Sequence, residues 1–401
     1  MEHPVLTGVI GLLAASVALL ALFERIGLPI LLAYLLVGIV LGPSGFSWIP
    51  HTEDLHFLAE FGVVLLLFTI GLEFSLSRLW TLRKHVFGLG GAQVMITAAL
   101  GALLAWAAGL VPAAAFVVGG ALALSSTAVV SRELARRDEL EQQHGRLAVA
   151  VLIFQDLAVV PFLILIPVLA GDPETGVWAA IGQASLAGTI VIALMMVAGR
   201  WLLRPLFWFI AERGSEELFT LTALLFALAA AWVTEFAGLS LALGSFLAGA
   251  MLSETEYRHR LREEIRPFRD VLLGFFFVVI GMMLDLAAVG ALLPWVLLAL
   301  TMLLLIKTLT ITILGRLFSV PRGVALHTAL LLSQGGEFGL VLVMLAANQG
   351  VLGSAVEQVV LGTIILSLAL TPLLVAWAGP LSRKVCFREA KTRDSAVHDE
   401  E

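Results

Sequence analysis

AVLIFQDLAVVPFLILIP, residues 150–167, is an apolar run that contains one charge, Asp156, and one amide beside it, Gln155. A run of this length and composition reads as part of a membrane-spanning helix. A carboxylate at lipid depth costs roughly 2.5–3.5 kcal/mol on insertion scales, so it marks an ion or proton path by default. The one basic residue in a comparable setting is Lys307, inside LLLIKTLTITIL at 303–314. Two readings stay open. Asp156 and Lys307 form either a structural salt bridge between two helices or a breakable pair in which Asp156 binds a dehydrated monovalent cation and a proton in turn. A buried ion pair barely offsets its own desolvation, and Gln155 adds a further polar group, which favours the second reading.

The rest of the chain is of the same kind. Of its 401 residues 60% are hydrophobic and 13% charged, whereas soluble domains are about one quarter charged. An all-α polytopic membrane protein is expected. Thirteen apolar segments are candidate spans: residues 5–23, 29–42, 58–74, 86–108, 112–131, 146–169, 177–203, 216–236, 239–252, 268–285, 289–315, 323–347 and 355–379. The first is preceded by Glu2 and His3 and not by a basic region, so it reads as a retained helix. The single cysteine, Cys386, excludes an intrachain disulfide framework. Every one of the 24 Lys and Arg residues except Lys307 falls in alternate loops or in the C-terminal tail. The positive-inside rule then places the N-terminus outside and the C-terminus in the cytoplasm.

A weak internal repeat runs through these segments. ERIGLPILL from Glu24 matches EFAGLSLAL from Glu235, and VLIFQDLAVVP ending at Pro161 matches GTIILSLALTP ending at Pro372, which sets Asp156 opposite Ser367. An odd number of helices separates the copies, so the second is inverted in the membrane, as in secondary transporters with a midplane site. Each copy has one polar interruption. ALSSTAVV (123–130) holds Ser125, Ser126 and Thr127; LLSQGGEFGLVL (331–342) holds Ser333, Gln334, Gly335, Gly336 and Glu337. Unwound backbone at lipid depth is tolerated only beside a cavity or inside protein, so two broken helices with half-helix ends facing Asp156 are expected. Asp156, Gln155, Thr127, Ser126 and Ser125 are the candidate cation and proton site, with Lys307 as charge partner.

One acid that cannot hold cation and proton together suffices for antiport, and a single acid implies an electroneutral exchange of one for one. Glu337 either compensates half-helix dipoles, lines the ion path or caps the break. His327, a lone interfacial histidine, is structural or pH-sensing. Ser245 and Gly249 are spaced for close helix packing, within the subunit or at a dimer interface. SETEYRHRLREEIRPFRD (253–270) reads as a solvated cytoplasmic loop whose Glu263 and Glu264 are candidate regulatory contacts, and residues 381–401 read as a charged, disordered tail or linker stub. A potassium channel would need a carbonyl filter of the TVGYG type, which the sequence lacks. An intramembrane hydrolase is supported by no motif, and the chain is not expected to be an enzyme.

GLEFSLSRLW (71–80), ALSSTAVV, VLIFQDLAVVP, GSFLAGAMLSETEYRH (244–259), LGFFFVVIGMMLD (273–285), Lys307 and LLSQGGEF together resemble the bacterial Kef-type potassium-efflux antiporters of the cation:proton antiporter-2 family. The resemblance implies a sodium/proton-antiporter-like fold with crossed broken helices, and a homodimer in the bacterial inner membrane. It implies a dimerisation part near 1–85 and 205–290 and an ion-carrying core near 86–170 and 289–380, within a membrane domain of residues 1–380. K+ and H+ would be the transported ions, with no organic cofactor and with elevator-like movement; Na+/H+ exchange is the alternative. Relatives regulated by glutathione carry a nucleotide-binding domain after the membrane part, and this chain stops at Glu401.

Overall fold

Lipid offers no partner for backbone N–H and C=O groups, so a chain this apolar must satisfy them within helices. The computed structural model describes residues 4–48, 53–73, 82–171 and 215–398, with a few isolated positions between 182 and 210, and among them it contains helices and no strand. The helices are α1 (Pro4–Ile26), α2 (Ile30–Leu41), α3 (Glu53–Glu73), α4 (Gly91–Ala107, continuing a π-helical turn Lys84–Gly90), α5 (Pro112–Ala123), α6 (Thr127–Arg136) and α7 (Gln143–Ala170). They continue with α8 (Glu216–Phe236), α9 (Leu241–Leu252), α10 (Arg258–Met283), a short unlabelled helix Leu286–Ala291, α11 (Leu293–Leu317), α12 (Arg322–Leu331), α13 (Glu337–Asn348) and α14 (Ser354–His398). Six described helical stretches are long and apolar enough to cross a membrane. Most of the candidate span 177–203, and residues 74–80 of GLEFSLSRLW, lie outside the described residues.

The chain divides into two units. The first holds residues 1–80, 160–287 and 348–351. Its core is built by Leu65, Phe68 and Leu72 of α3, Phe219 and Ala223 of α8, Leu243 and Leu252 of α9, and Leu261 and Ile265 of α10. The Ser245 and Gly249 pattern serves packing within this unit: a Cβ on Gly249 would collide with the Phe68 carbonyl oxygen of α3. The stretch 253–270 is not an open loop, because α10 begins at Arg258. Leu261 and Ile265, one helical turn apart, are both fully buried and anchor that charged turn. Glu263 is exposed there, and Glu264 accepts a hydrogen bond from Thr220 Oγ1 at 2.7 Å.

The second unit holds residues 81–159, 288–347 and 352–401. Val130 and Leu134 of α6, Val151 and Leu152 of α7, Ile311 and Leu314 of α11, Ala325 and Ala329 of α12 and Val375 of α14 form its core. The candidate spans 112–131 and 323–347 each resolve into two half-helices, α5 with α6 and α12 with α13. The C-terminal segment continues as helix: α14 runs through Pro380 to His398, since Lys, Arg, Glu and Ala favour helix without any apolar periodicity.

Candidate functional site

The first break follows from residues 124–126. Pro112 opens α5, where its missing N–H costs nothing, and the helix stops where Leu124 turns extended (φ −84°, ψ 143°). Ser126 then caps α6, its Oγ accepting from Val129 N at 3.1 Å. The second break spans residues 332–336, between the end of α12 and Glu337 at the start of α13. The two meet at backbone distance. A Cβ on Gly336 would lie 2.5 Å from the Ser125 carbonyl carbon and 2.8 Å from Ser126 N, so only glycine fits. Ser125 Oγ donates across the crossing to Leu332 O at 2.8 Å.

Four half-helix ends converge there, two negative and two positive. Lys307, fully buried on α11, serves the carbonyl ends. Its Nζ donates to Leu124 O at 3.0 Å, to Gln334 O at 2.6 Å and to Ser125 Oγ at 2.8 Å. An ammonium has three protons, and these three neutral oxygens take all of them. Glu337 serves the amide ends: it begins α13, is 5% exposed, and its Oε1 accepts from Ala128 N of α6 at 3.4 Å. This contact is compatible both with dipole compensation and with a cap on the break.

The polar groups of α7 meet the first break. Thr127 Oγ1 donates to Asp156 Oδ1 at 2.9 Å, and both residues are only half-buried. Gln155 is fully buried. Its Oε1 accepts from Ser125 N at 2.7 Å and its Nε2 donates to Gln93 Oε1 at 2.7 Å. Gln93 in turn donates to Ala123 O at 3.1 Å and Thr97 Oγ1 at 3.2 Å. Gln155 therefore clamps the break. Gln93 escaped the sequence reading, although an amide within the apolar run 86–108 was a visible signal. In the second repeat Gly335 N donates to Ser367 Oγ at 2.9 Å, so Ser367 holds its break as the Gln155–Asp156 pair holds the first. Ser333 Oγ turns back to Leu330 O at 3.0 Å. All the predicted site residues but Glu263 and Glu264, which lie on α10, gather at this one crossover.

Two other features lie in the same unit. His327 is not a lone histidine: it stacks on His144, ring centroids 3.8 Å apart. A cavity of about 530 Å³ is lined by residues such as Leu104, Val118, Trp295 and Met302, with Thr97 and Thr363 its only polar contributors.

Comparison with known proteins accords with this geometry. The family described as "Sodium/hydrogen exchanger, transmembrane" matches residues 12–378. The chain is 43% identical over 386 residues to a putative K(+) efflux antiporter KefB of Alkalimonas amylolytica, covering 94% of this chain and 57% of that protein. It is 43% identical over 384 residues to the chloroplastic K(+) efflux antiporter 2 of Arabidopsis thaliana, covering 94% and 33% respectively. The chain thus spans between a third and somewhat over half the length of these relatives, which are transporters rather than enzymes. Among solved structures, the sodium proton antiporter MjNhaP1 of Methanocaldococcus jannaschii at pH 8 superposes with a TM-score of 0.72 at 19% identity, over 95% of this chain and 99% of that one. The crossed half-helices, the intramembrane aspartate and these matches lead to one assignment: the chain belongs to the sodium/hydrogen exchanger family, as a Kef-type membrane domain of the cation:proton antiporter-2 group.

Proposed function

We propose that the chain exchanges K+ for H+ across the bacterial inner membrane, with Asp156 binding the cation and the proton in turn. The observation that carries this reading is the Asp156–Thr127 pair. Around the crossover, Lys307, Gln155 and Ser125 are committed to neutral partners that hold the breaks together. Asp156 and Thr127 are half-buried beside them, which suits groups that an ion must reach and leave. A carboxylate and a hydroxyl are hard oxygen ligands, suited to alkali cations as to other hard ions. Lys307 supplies positive charge to the same crossover through the break it ties.

One titrating carboxylate supports an exchange of one proton for one cation. Such a cycle moves no net charge, so membrane voltage, worth about 2.3 kcal/mol per charge per 100 mV, does not drive it. The unit holding the whole crossover is the natural carrier in an elevator-like movement, and the other unit the dimerisation part of a homodimer. The positive-inside distribution of Lys and Arg supports an N-terminus outside and a C-terminus inside. The extra length of the relatives is where a nucleotide-binding regulatory domain would lie. Potassium is preferred over sodium because the relatives at 43% identity are named for K+ efflux.

The test is proton flux in proteoliposomes loaded with a pH dye and challenged separately with K+ and Na+. The expected result is a K+-dependent pH change, insensitive to a clamped voltage and absent in Asp156→Asn. A response to Na+ alone makes sodium the substrate. Full exchange by Asp156→Asn overturns the mechanism.

A further inference from the structure

We propose that Glu139, His144 and His327 form a binding site for a divalent d-block cation of the Zn2+ class, separate from the transport site. His144 lies in the first turn of α7, twelve residues before Asp156, or about 18 Å along the helix at 1.5 Å per residue. His327 lies on α12, and Glu139 lies in the connection between α6 and α7. His144 Nε2 is 3.2 Å and His327 Nε2 4.0 Å from the same carboxylate oxygen, Glu139 Oε2. All three ligand atoms fall within 4.8 Å of one another. Bonds of about 2.0–2.1 Å in a tetrahedron place ligand atoms roughly 3.3 Å apart, so small side-chain movements close the set.

The scaffold around the three residues is already fixed. Glu139 N donates to Leu134 O at 2.9 Å and its carbonyl accepts from Gln142 N at 3.1 Å. Thr328 Oγ1 of α12 donates to His144 O at 3.3 Å, which tethers the two histidine-bearing helices to each other. Both histidines are nearly buried, at 7% and 9% exposure, while the Glu139 side chain is 21% exposed. That leaves water access for a fourth ligand, as in open zinc sites. The two rings stack within 9° of parallel, so they must turn about χ2 for both Nε2 lone pairs to converge, each proton moving to Nδ1 or to solvent.

Ligand chemistry selects the ion. Two imidazoles and one carboxylate suit Zn2+, Co2+ and Ni2+, whereas Mg2+ and Ca2+ require oxygen shells. Arg137 and Arg383 lie within electrostatic reach of His327 and oppose a cation, so the affinity is expected below that of sites without basic neighbours. Occupancy would staple α7, which carries Asp156, to α12, which leads into the second break.

The whole chain, purified in detergent with a tag free of histidine and stripped of metal, is titrated with Co2+ alone. The expected result is the visible absorption of four-coordinate cobalt, saturating at one site per chain, displaced by Zn2+ and not by Mg2+. His144→Gln and His327→Gln are each expected to weaken it by at least about ten-fold, as loss of even an outer-shell partner does in metal sites. Absence of the band in the wild-type protein, which needs no variant to fold, overturns the proposal. So does a band unchanged in both well-folded variants, which would place the metal at other ligands.

Discussion

Lys307→Ala removes a side chain that ties both helix breaks to a third helix. In the wild-type protein Nζ satisfies Leu124 O, Gln334 O and Ser125 Oγ at 2.6–3.0 Å, in a position fully closed to solvent. Ser125 Oγ keeps its bond to Leu332 O after truncation, but the two carbonyls lose their donor. Each buried unsatisfied carbonyl costs about 1–3 kcal/mol, giving roughly 2–6 kcal/mol, reduced by the ammonium desolvation that the variant no longer bears. A net loss of about 3 kcal/mol, against an unfolding entropy of roughly 0.8 kcal/mol/K for about 400 residues, corresponds to a fall of roughly 3–4 °C in apparent Tm. Tryptophan fluorescence during heating in detergent reads it directly. Lys307→Met separates the hydrogen bonds from mere volume, because it keeps most of the side chain and none of the donors; it is expected to fall nearly as far as alanine. A methionine variant that melts with the wild type would refute the reasoning, since the crossover would then be held by packing.

Thr127→Ala deletes the hydroxyl bonded to the Asp156 carboxylate; a hydrogen bond to a charged group is worth about 1.5–3 kcal/mol, so half-maximal exchange should require roughly 10- to 160-fold more cation, with a fall of at most a few degrees in Tm. Gly336→Ala places a methyl 2.5 Å from the Ser125 carbonyl carbon, and protein that accumulates is expected to have lost exchange in the dye assay. Gln155→Leu strands Ser125 N and Gln93 Oε1; it is expected to lower Tm by several degrees while retaining some exchange, in contrast to Asp156→Asn.

Much of this was legible in the sequence because lipid punishes polar groups. Asp156, Lys307 and the serine- and glycine-bearing interruptions stood out against apolar letters, and the offset between the repeats related them in pairs. Charged surface segments carry no such penalty, which is why the helical state of 258–270 and of 381–398 was not visible: helix propensity decides there, not contrast with the lipid.

By itself, then, the sequence determined that the chain is helical, membrane-embedded and interrupted at two related places beside one acid, since each of these follows from composition and spacing along a single segment. Only the tertiary structure decided what the polar residues do. Lys307 spends its three donors on neutral oxygens of both breaks, Gln155 and Gln93 clamp the first break, and Glu337 faces amides of another half-helix. His144, His327 and Glu139 come together across 188 residues of sequence. Hydrogen bonds of this kind have a range of about 3 Å, and no periodicity in one helix records which distant backbone group will lie within it.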